Sequence, residues 1–212
     1  MNVERLLLDG SAQLEINLND SQINKFLAYI DLIKKWNSRI NLTSITADKE
    51  IVLKHFIDSL TVSEYIHDDS SAIDIGTGAG FPSIPLAIVR EKVNFTALDS
   101  REKRIFFLNE VVRELGINNV KTVASRAEDY YKKESGNNFD YVLTRAVGDI
   151  GDVINLSVPY LNKSGKIILM RGSEGKTEWE NYSNCGYSLQ HLNEIELPGS
   201  NIKRVLIVIK HK

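Results

Sequence analysis

The sequence predicts an α/β protein: a mostly parallel seven-stranded sheet that ends in an antiparallel hairpin and carries an N-terminal helical cap. Three observations predict it. Apolar residues recur at helical spacing before Ser71. From Ser71 onward, short apolar runs alternate with amphipathic stretches, as strands alternate with covering helices in a parallel sheet. The last two runs are separated only by Pro198-Gly199-Ser200-Asn201, a turn too short to hold a helix, so they pair as a hairpin. The division is 1–70 for the cap and 71–212 for the sheet domain. The two form one compact unit, because the polar junction Asp68-Asp69-Ser70-Ser71 is too short for a flexible tether.

In the cap, Ile23, Phe26, Leu27, Ile30, Ile33, Trp36 and Ile40 fall three and four residues apart, with Lys34, Lys35 and Arg39 between them. The spacing predicts a helix over 21–40 capped by Asp20 or Ser21, with Phe26 and Trp36 in the core. Asn37 and Asn41 share one face of it and can reach a pocket or end the helix. A second helical stretch runs from Thr46 to about Ile66, with Asp48 and Glu50 in its first turn, where the helix dipole favours acids. The predicted strands are 71–75, 93–98, 120–124, 139–144, 166–170, 188–196 and 203–209. The predicted helices of the sheet domain are 82–91, 101–115, 125–133, 149–161 and 174–182.

Composition narrows the function. The 26 basic and 28 acidic residues give a net charge of −2, which counts against a protein whose whole surface coats nucleic acid but leaves room for a local basic face. No apolar run approaches the ~18 residues of a spanning helix, and acids among the first nine residues interrupt any signal-like core, so neither membrane insertion nor secretion is expected. Cys185 is the single cysteine, read as a structural thiol, and a cytoplasmic location is expected. His55, His67, His191 and His211 lack ligand spacing, so no metal site is expected.

The most informative stretch is Asp74-Ile75-Gly76-Thr77-Gly78-Ala79-Gly80-Phe81-Pro82, which follows the first strand and opens a helix, with Pro82 suited to the first turn. Glycines here let the backbone turn tightly and let a ligand approach it. A dinucleotide fingerprint needs a sixth-position glycine, but Phe81 stands there, and no Gly-Lys-Ser/Thr ends the segment. Asp74 is poorly placed beside phosphates and well placed beside a cationic amino-acid group. Asp99, at the end of the second strand, can accept both hydroxyls of a ribose. After the third strand, Ser125-Arg126-Ala127-Glu128 offers an acid and a backbone amide to an adenine edge. Together with Gly76 and Gly78, these residues describe S-adenosylmethionine as the cofactor, on a Rossmann-like class I methyltransferase fold.

Several elements carry a family resemblance. They are Trp36-Asn37 with Asn41-Leu42-Thr43, His55-Phe56-Ile57-Asp58-Ser59-Leu60, Asp74 to Pro82, Lys103-Arg104 with Phe107-Leu108, Arg126-Ala127-Glu128 and Thr144-Arg145-Ala146. With these, the sequence resembles the glucose-inhibited division protein B (RsmG) family from about residue 20 to the end. The resemblance implies methylation of guanine N7 in 16S ribosomal RNA, free or in the small subunit, with Gly76, Phe81, Ala127, Glu128 and Arg145 lining the cofactor site. Asp99 comes from strand-end geometry instead. The resemblance also makes His55 and Asp58 cap-to-sheet contacts near the site. From the residues alone, His55 is a hydrogen-bonded packing histidine, and Asp58 can pair with Lys54 four residues away.

Leu143-Thr144-Arg145-Ala146 replaces the Asp/Asn-Pro-Pro-aromatic motif of exocyclic-amine methyltransferases, and Cys185 lies too late to be a pyrimidine-C5 nucleophile. Guanine N7 needs neither device, since its lone pair attacks directly, and Arg145 is then an orienting group. The N7 edge is buried in A-form helices, so the target belongs in a loop or distorted segment. Arg39, Lys54, Arg101, Lys103 and Arg104 are candidates for phosphate contact, with solvent-exposed pairs to Glu102 or Glu110 as the alternative. A monomer that binds no DNA is expected. Two other functions remain open: a small-molecule methyltransferase, and a non-catalytic RNA-binding or ribosome-assembly factor.

Overall fold

A computed structural model describes residues 2–133, 139–145, 148–182 and 186–211; Ala146 and the expected structural thiol Cys185 lie outside them. The cap begins with α1 (Val3–Gln13), whose first turn is held by the Asn2 side chain accepting from the Glu4 amide. Helix α2 (Asp20–Asn37) carries the predicted apolar face. Its cap is Asn19, not Asp20 or Ser21. Asn19 is extended and exchanges hydrogen bonds with Gln22 in a capping box, whereas Asp20 is already helical. The helix also ends three residues short of position 40. The Asn37 carboxamide turns back to accept from the Leu42 and Thr43 amides and to donate to the Thr43 carbonyl, offering the chain an alternative to another helical turn.

The second cap helix is not regular. A single turn, α3 (Asp48–Ile51), opens into a π-helical stretch (Val52–Ile57), tightens into α4 (Asp58–Leu60) and closes in a 3-10 turn (Ser63–Tyr65). Such widened turns are frequent at functional sites, and this one carries Lys54 and His55.

The sheet has seven strands: β1 (Ser71–Ile75), β2 (Asn94–Asp99), β3 (Val120–Ala124), β4 (Phe139–Arg145), β5 (Leu161–Arg171), β6 (Tyr187–Glu196) and β7 (Lys203–His211). Their order is β3-β2-β1-β4-β5-β7-β6. β1 pairs in parallel with both β2 and β4, while β7 lies antiparallel between β5 and β6, the hairpin its turn residues predict. The strand order reverses at β1 and β4, so a crevice opens at their carboxyl ends, where open α/β sheets bind ligands. The helices are α5 (Ser83–Val89), α6 (Glu102–Glu114), α7 (Ala127–Lys133), α8 (Ile150–Ser157) and α9 (Gly175–Asn181). Pro82 precedes α5 in the capping position, after a cis peptide bond, instead of standing in its first turn. The helix expected over 149–161 stops at Ser157 and tightens into a 3-10 turn, because Pro159 has no amide hydrogen to continue it; β5 then starts earlier than predicted, at Leu161.

Alternate residues of each strand feed different cores. On one face, Ala72, Phe95 and Leu143 pack with Ile84, Phe107 and Leu108 from α5 and α6, and with Phe26, Tyr29, Ile33, Phe56 and Ile57 of the cap. On the other, Ile73, Leu98 and Val142 meet Ile150, Val153 and Ile154 of α8. The cap is thus part of a sheet core. Phe26 is fully buried, while Trp36 only packs against the margin of that core. Phe56 is the junction: its ring lies 5.0 Å from Phe26, 5.4 Å from Tyr29 and 6.1 Å from Phe81. Phe56→Ala is expected to cost about 3–5 kcal/mol and to lower cap and sheet stability together, in one urea transition. A second transition would show that the cap unfolds independently.

Candidate functional site

The glycine loop is a turn whose conformation the cap enforces. Gly76, Gly78 and Gly80 have φ of 75°, 62° and 94°, the left-handed region open to glycine. At Gly80 space is also lacking, since a Cβ would stand 2.6 Å from both the Tyr29 hydroxyl and Ile84. The Tyr29 hydroxyl, from α2, donates to the Ala79 carbonyl. Beneath the loop, one oxygen of the fully buried Asp74 accepts from the Thr77 hydroxyl at 2.6 Å and the Ser83 amide at 3.1 Å. Its other oxygen is buried without a partner. Burial pushes the Asp74 carboxyl up to about 6, against those hydrogen bonds. Asp74 therefore holds the loop from beneath, with one acceptor left unpaired.

On one side of the loop a cavity of about 270 Å³ is lined by Gly76, Asp99, Ser125, Arg126, Ala127 and Glu128, among others. This brings together four of the predicted cofactor residues: Gly76, Asp99, Ala127 and Glu128. Asp99 is more engaged than expected. It accepts from the Gly78 amide and the Arg104 guanidinium, both at 3.0 Å, and from the Arg101 amide at 2.9 Å. A carboxylate has about four acceptor sites, so with these partners it can take one ribose hydroxyl, and a second requires Arg104 to turn away. An orphaned carboxylate oxygen under the loop and acids at the ends of β2 and the start of α7 fit a nucleoside with a cationic amino-acid group and no phosphate.

Gly78, Phe81, Asp74 and Arg145 do not line that cavity. Gly78 fixes Asp99, and Phe81 and Arg145 face the cap. The His55 ring stacks on Phe81 at 4.3 Å, and the Arg145 guanidinium lies 5.6 Å from the Phe81 centroid. Arg145, the last residue of β4, donates from Nη2 to the Lys54 carbonyl at 2.5 Å and to His55 Nδ1 at 3.1 Å, and pairs with Asp58 at 3.2 Å. Arg204 of β7 reaches both oxygens of the same Asp58 from its Nε at 3.1 Å. A guanidinium can only donate, so His55 Nδ1 accepts and Nε2–H donates to the Thr43 hydroxyl at 3.0 Å. A continuous chain thus runs from Arg204 through Asp58, Arg145, His55 and Thr43 to Asn37. Asp58 does not pair with Lys54, which takes Glu50 one turn away instead; Asp58 is buried and points toward the sheet, where the two arginines are.

Four of the five predicted phosphate contacts meet in one groove. Between the end of α2 and the start of α6, Arg39, Asn41, Arg101, Glu102, Lys103 and Arg104 line a cavity of about 500 Å³. Lys54 lies outside it. Among the described ion pairs the pairing with Glu102 or Glu110 is not found: Arg104 takes Asp99, and Glu110 takes Arg113. Sequence reasoning missed Ser100 and Leu156, which line the cavity, and two residues that hold the site's surroundings. Tyr29 has the spacing of an ordinary core aromatic, and Arg204 stands in a strand with no motif around it. Asn37 closes the turn beneath Thr43 and does not reach the pocket, whereas Asn41 lines the groove.

This strand order, with a glycine loop ending β1 and acids ending β2 and opening α7, defines a Rossmann-like methyltransferase fold. The B. subtilis tRNA methyltransferase TrmK has it (TM-score 0.58, 18% identity, 76% of this chain and 68% of that one), as does M. jannaschii TYW2, solved in complex with AdoMet (TM-score 0.55, 15% identity, 73% and 75%). At those identities the likeness is one of fold. The family model for rRNA small subunit methyltransferase G (GidB) matches residues 22–205. The ribosomal RNA small subunit methyltransferase G of Clostridium perfringens is 42% identical over 92% of this chain and 84% of its own length, and that of Acetivibrio thermocellus is 41% identical over 99% and 89%. The chain belongs to the GidB family of small-subunit rRNA methyltransferases.

Burial, followed by the Arg145 charge, lowers the His55 imidazole to about 3. An unfolded histidine titrates near 6.5, so as pH falls below ~6.5 the unfolded chain takes up a proton that the folded chain refuses. The resulting stability is complete above that pH and is lost at about 1.4 kcal/mol per unit toward pH 3. The His55 ring resonances are expected not to move between pH 5 and 8 by NMR. A midpoint near 6.5 would contradict the assigned hydrogen bonds.

Proposed function

We propose that the chain transfers the methyl group of S-adenosylmethionine to N7 of a guanine in 16S ribosomal RNA, either free or in the small subunit, as a cytoplasmic monomer without a role on DNA. The observation that carries this reading is the adjacency of the two cavities. The Gly76–Asp99–Glu128 pocket and the Arg39–Lys103 groove are lined by consecutive positions, Asp99 and Ser100 in the first and Arg101 in the second, and Arg104 of the groove donates to Asp99 of the pocket at 3.0 Å. A cofactor held in the first is next to an acceptor held by cations in the second. Membership of the family supports the choice of RNA. Among the described residues no helix is long and apolar enough to cross a membrane, and no cluster of three metal-ligating residues occurs.

When bound, the cofactor supplies an electrophilic methyl on a sulfonium. The chain's own residues then have four tasks. Gly76, Ala127 and Glu128 hold the nucleoside, with Glu128 and a neighbouring amide suited to the adenine edge. Asp99 accepts from the ribose. The free oxygen of Asp74 accepts from an ammonium. Arg145, Phe81 and His55 form a fixed wall on the cap side. No side chain has to remove a proton, because guanine N7 carries none, so catalysis consists of in-line positioning and exclusion of water. Arg145 opposes a cationic product if it approaches the base, and its pairing with Asp58 directs that charge elsewhere.

Incubation with labelled S-adenosylmethionine and 16S rRNA lacking the modification is expected to yield 7-methylguanosine by nucleoside mass spectrometry. Gly76→Arg, which fills the pocket at a left-handed position, is expected to abolish cofactor binding and transfer. Label in another nucleoside, or none despite cofactor binding, would overturn the N7 assignment. Single-turnover rates are expected to be flat from pH 6.5 to 8.5, since no general base acts; a tenfold rise per unit would reveal one.

A further inference from the structure

Phe106 is the most exposed large hydrophobic side chain among the described residues, with 65% of its surface open. A single exposed apolar residue needs no explanation; its surroundings make this one informative. Phe106 lies one helical turn beyond Lys103 on α6, so both stand on the same face. Its ring is 5.6 Å from that of Trp36, inclined at 58°, and Trp36, in the last turn of α2, accepts at its carbonyl from the amide of Arg39 just beyond the helix, at 2.9 Å. The Arg39 guanidinium is 6.0 Å from the Trp36 centroid. The two rings therefore stand beside the basic groove, next to Lys103 and Arg39 of its lining. Four cations and one acid line that groove, against a chain of net charge −2. Arg39, Arg101 and Lys103 have no carboxylate partner among the described ion pairs, which leaves them to an incoming polyanion.

We propose that Phe106 and Trp36, together with Arg39, form a platform on which an unpaired RNA base next to the target guanine stacks while Arg101 and Lys103 hold its phosphates. Cations tracking a backbone beside exposed aromatic rings is the arrangement by which single-stranded nucleic acid is bound. The geometry favours RNA over a protein partner, because Lys103 and Arg39 stand beside the rings, while Trp36, half-buried, also packs on Phe107 of the core at 6.0 Å and so is held in place. The proposal deepens the methyltransferase reading and rests on it for the identity of the RNA.

Trp36 reports on its own platform. In a Trp179→Phe background it is the remaining tryptophan, and titration with a single-stranded oligoribonucleotide is expected to quench it. Phe106→Ala is expected to weaken that binding about ten- to a hundredfold, raise KM for protein-free 16S rRNA in the same proportion and leave S-adenosylmethionine affinity unchanged, while Phe106→Tyr restores binding. Unquenched Trp36, or equal affinity of the wild-type and Phe106→Ala proteins, would overturn the platform. An effect confined to assembled subunits and missing with protein-free RNA would make the face a ribosomal-protein contact and also overturn it. Oligoribonucleotide binding needs no methyl transfer. A protein that shows the quenching and the Phe106 effect but no transfer to rRNA would refute the methyltransferase reading alone.

Discussion

The buried carboxylate of Asp58 is the constraint on which the rest of the site depends. It is 1% exposed, pairs with the Arg145 guanidinium at the end of β4 and accepts from the Arg204 guanidinium of β7. A charge at that depth is tolerated only if it is paired and hydrogen-bonded, and removing one partner leaves the others uncompensated. The pairing fixes the helix bearing Asp58 against the end of the sheet where β4 stops and β7 begins. It also fixes His55 one turn earlier, and through His55 the Thr43 turn that follows α2. The cap's two long segments are therefore held to the carboxyl ends of the strands by polar geometry and to the sheet face by Phe26, Tyr29 and Phe56. Apolar packing supplies attachment; directional hydrogen bonds supply register.

The register matters because the glycine loop is shaped from above as well as from within. Tyr29 takes the Ala79 carbonyl and leaves room at Gly80 for no side chain. Phe81, at the far end of the loop, is covered by His55. Loop and cap are thus parts of one assembly, and Gly76, at the start of the same loop, lines the cavity. Arg145 belongs to the same assembly. Burial lowers its pKa, with Asp58 acting the other way, and its Nη2 is committed to the Lys54 carbonyl, His55 and Asp58. This is why it reads as a positioning cation for the cap and not as a charge stabiliser for the transferred methyl.

The sheet was legible because its strands are short apolar runs with a period a sequence reveals, and because Pro198-Gly199 can only turn the chain. The cavity was legible because Gly76, Asp99, Ala127 and Glu128 stand at strand ends, where topology brings them together whatever the side chains do. What stayed hidden depends on direction. Nothing in the spacing of Lys54 and Asp58 tells that Asp58 turns inward, because an i,i+4 pair on a helix surface is the default reading and the widened π turn between them is invisible to a 3.6-residue period. Pro159 could have marked the end of its helix, but the apolar residues flanking it concealed the change. The partnership of Arg204 with Asp58 spans 146 positions, so only the fold shows it. The engagement of Asp99 by Arg104 was likewise out of reach, since it depends on the turn that starts α6.

The central claim is that cap and sheet are coupled through Asp58 and Arg145, and a double-mutant cycle with Asp58→Ala and Arg145→Ala tests it most directly. Unfolding free energy and S-adenosylmethionine affinity would both be measured for the four proteins. The account predicts that the second substitution adds little to the first, with an interaction energy of at least ~1.5 kcal/mol in stability and a parallel coupling in affinity. Effects that add within about 0.5 kcal/mol would mean that the two residues act separately and that the latch is not what holds the cap over the site.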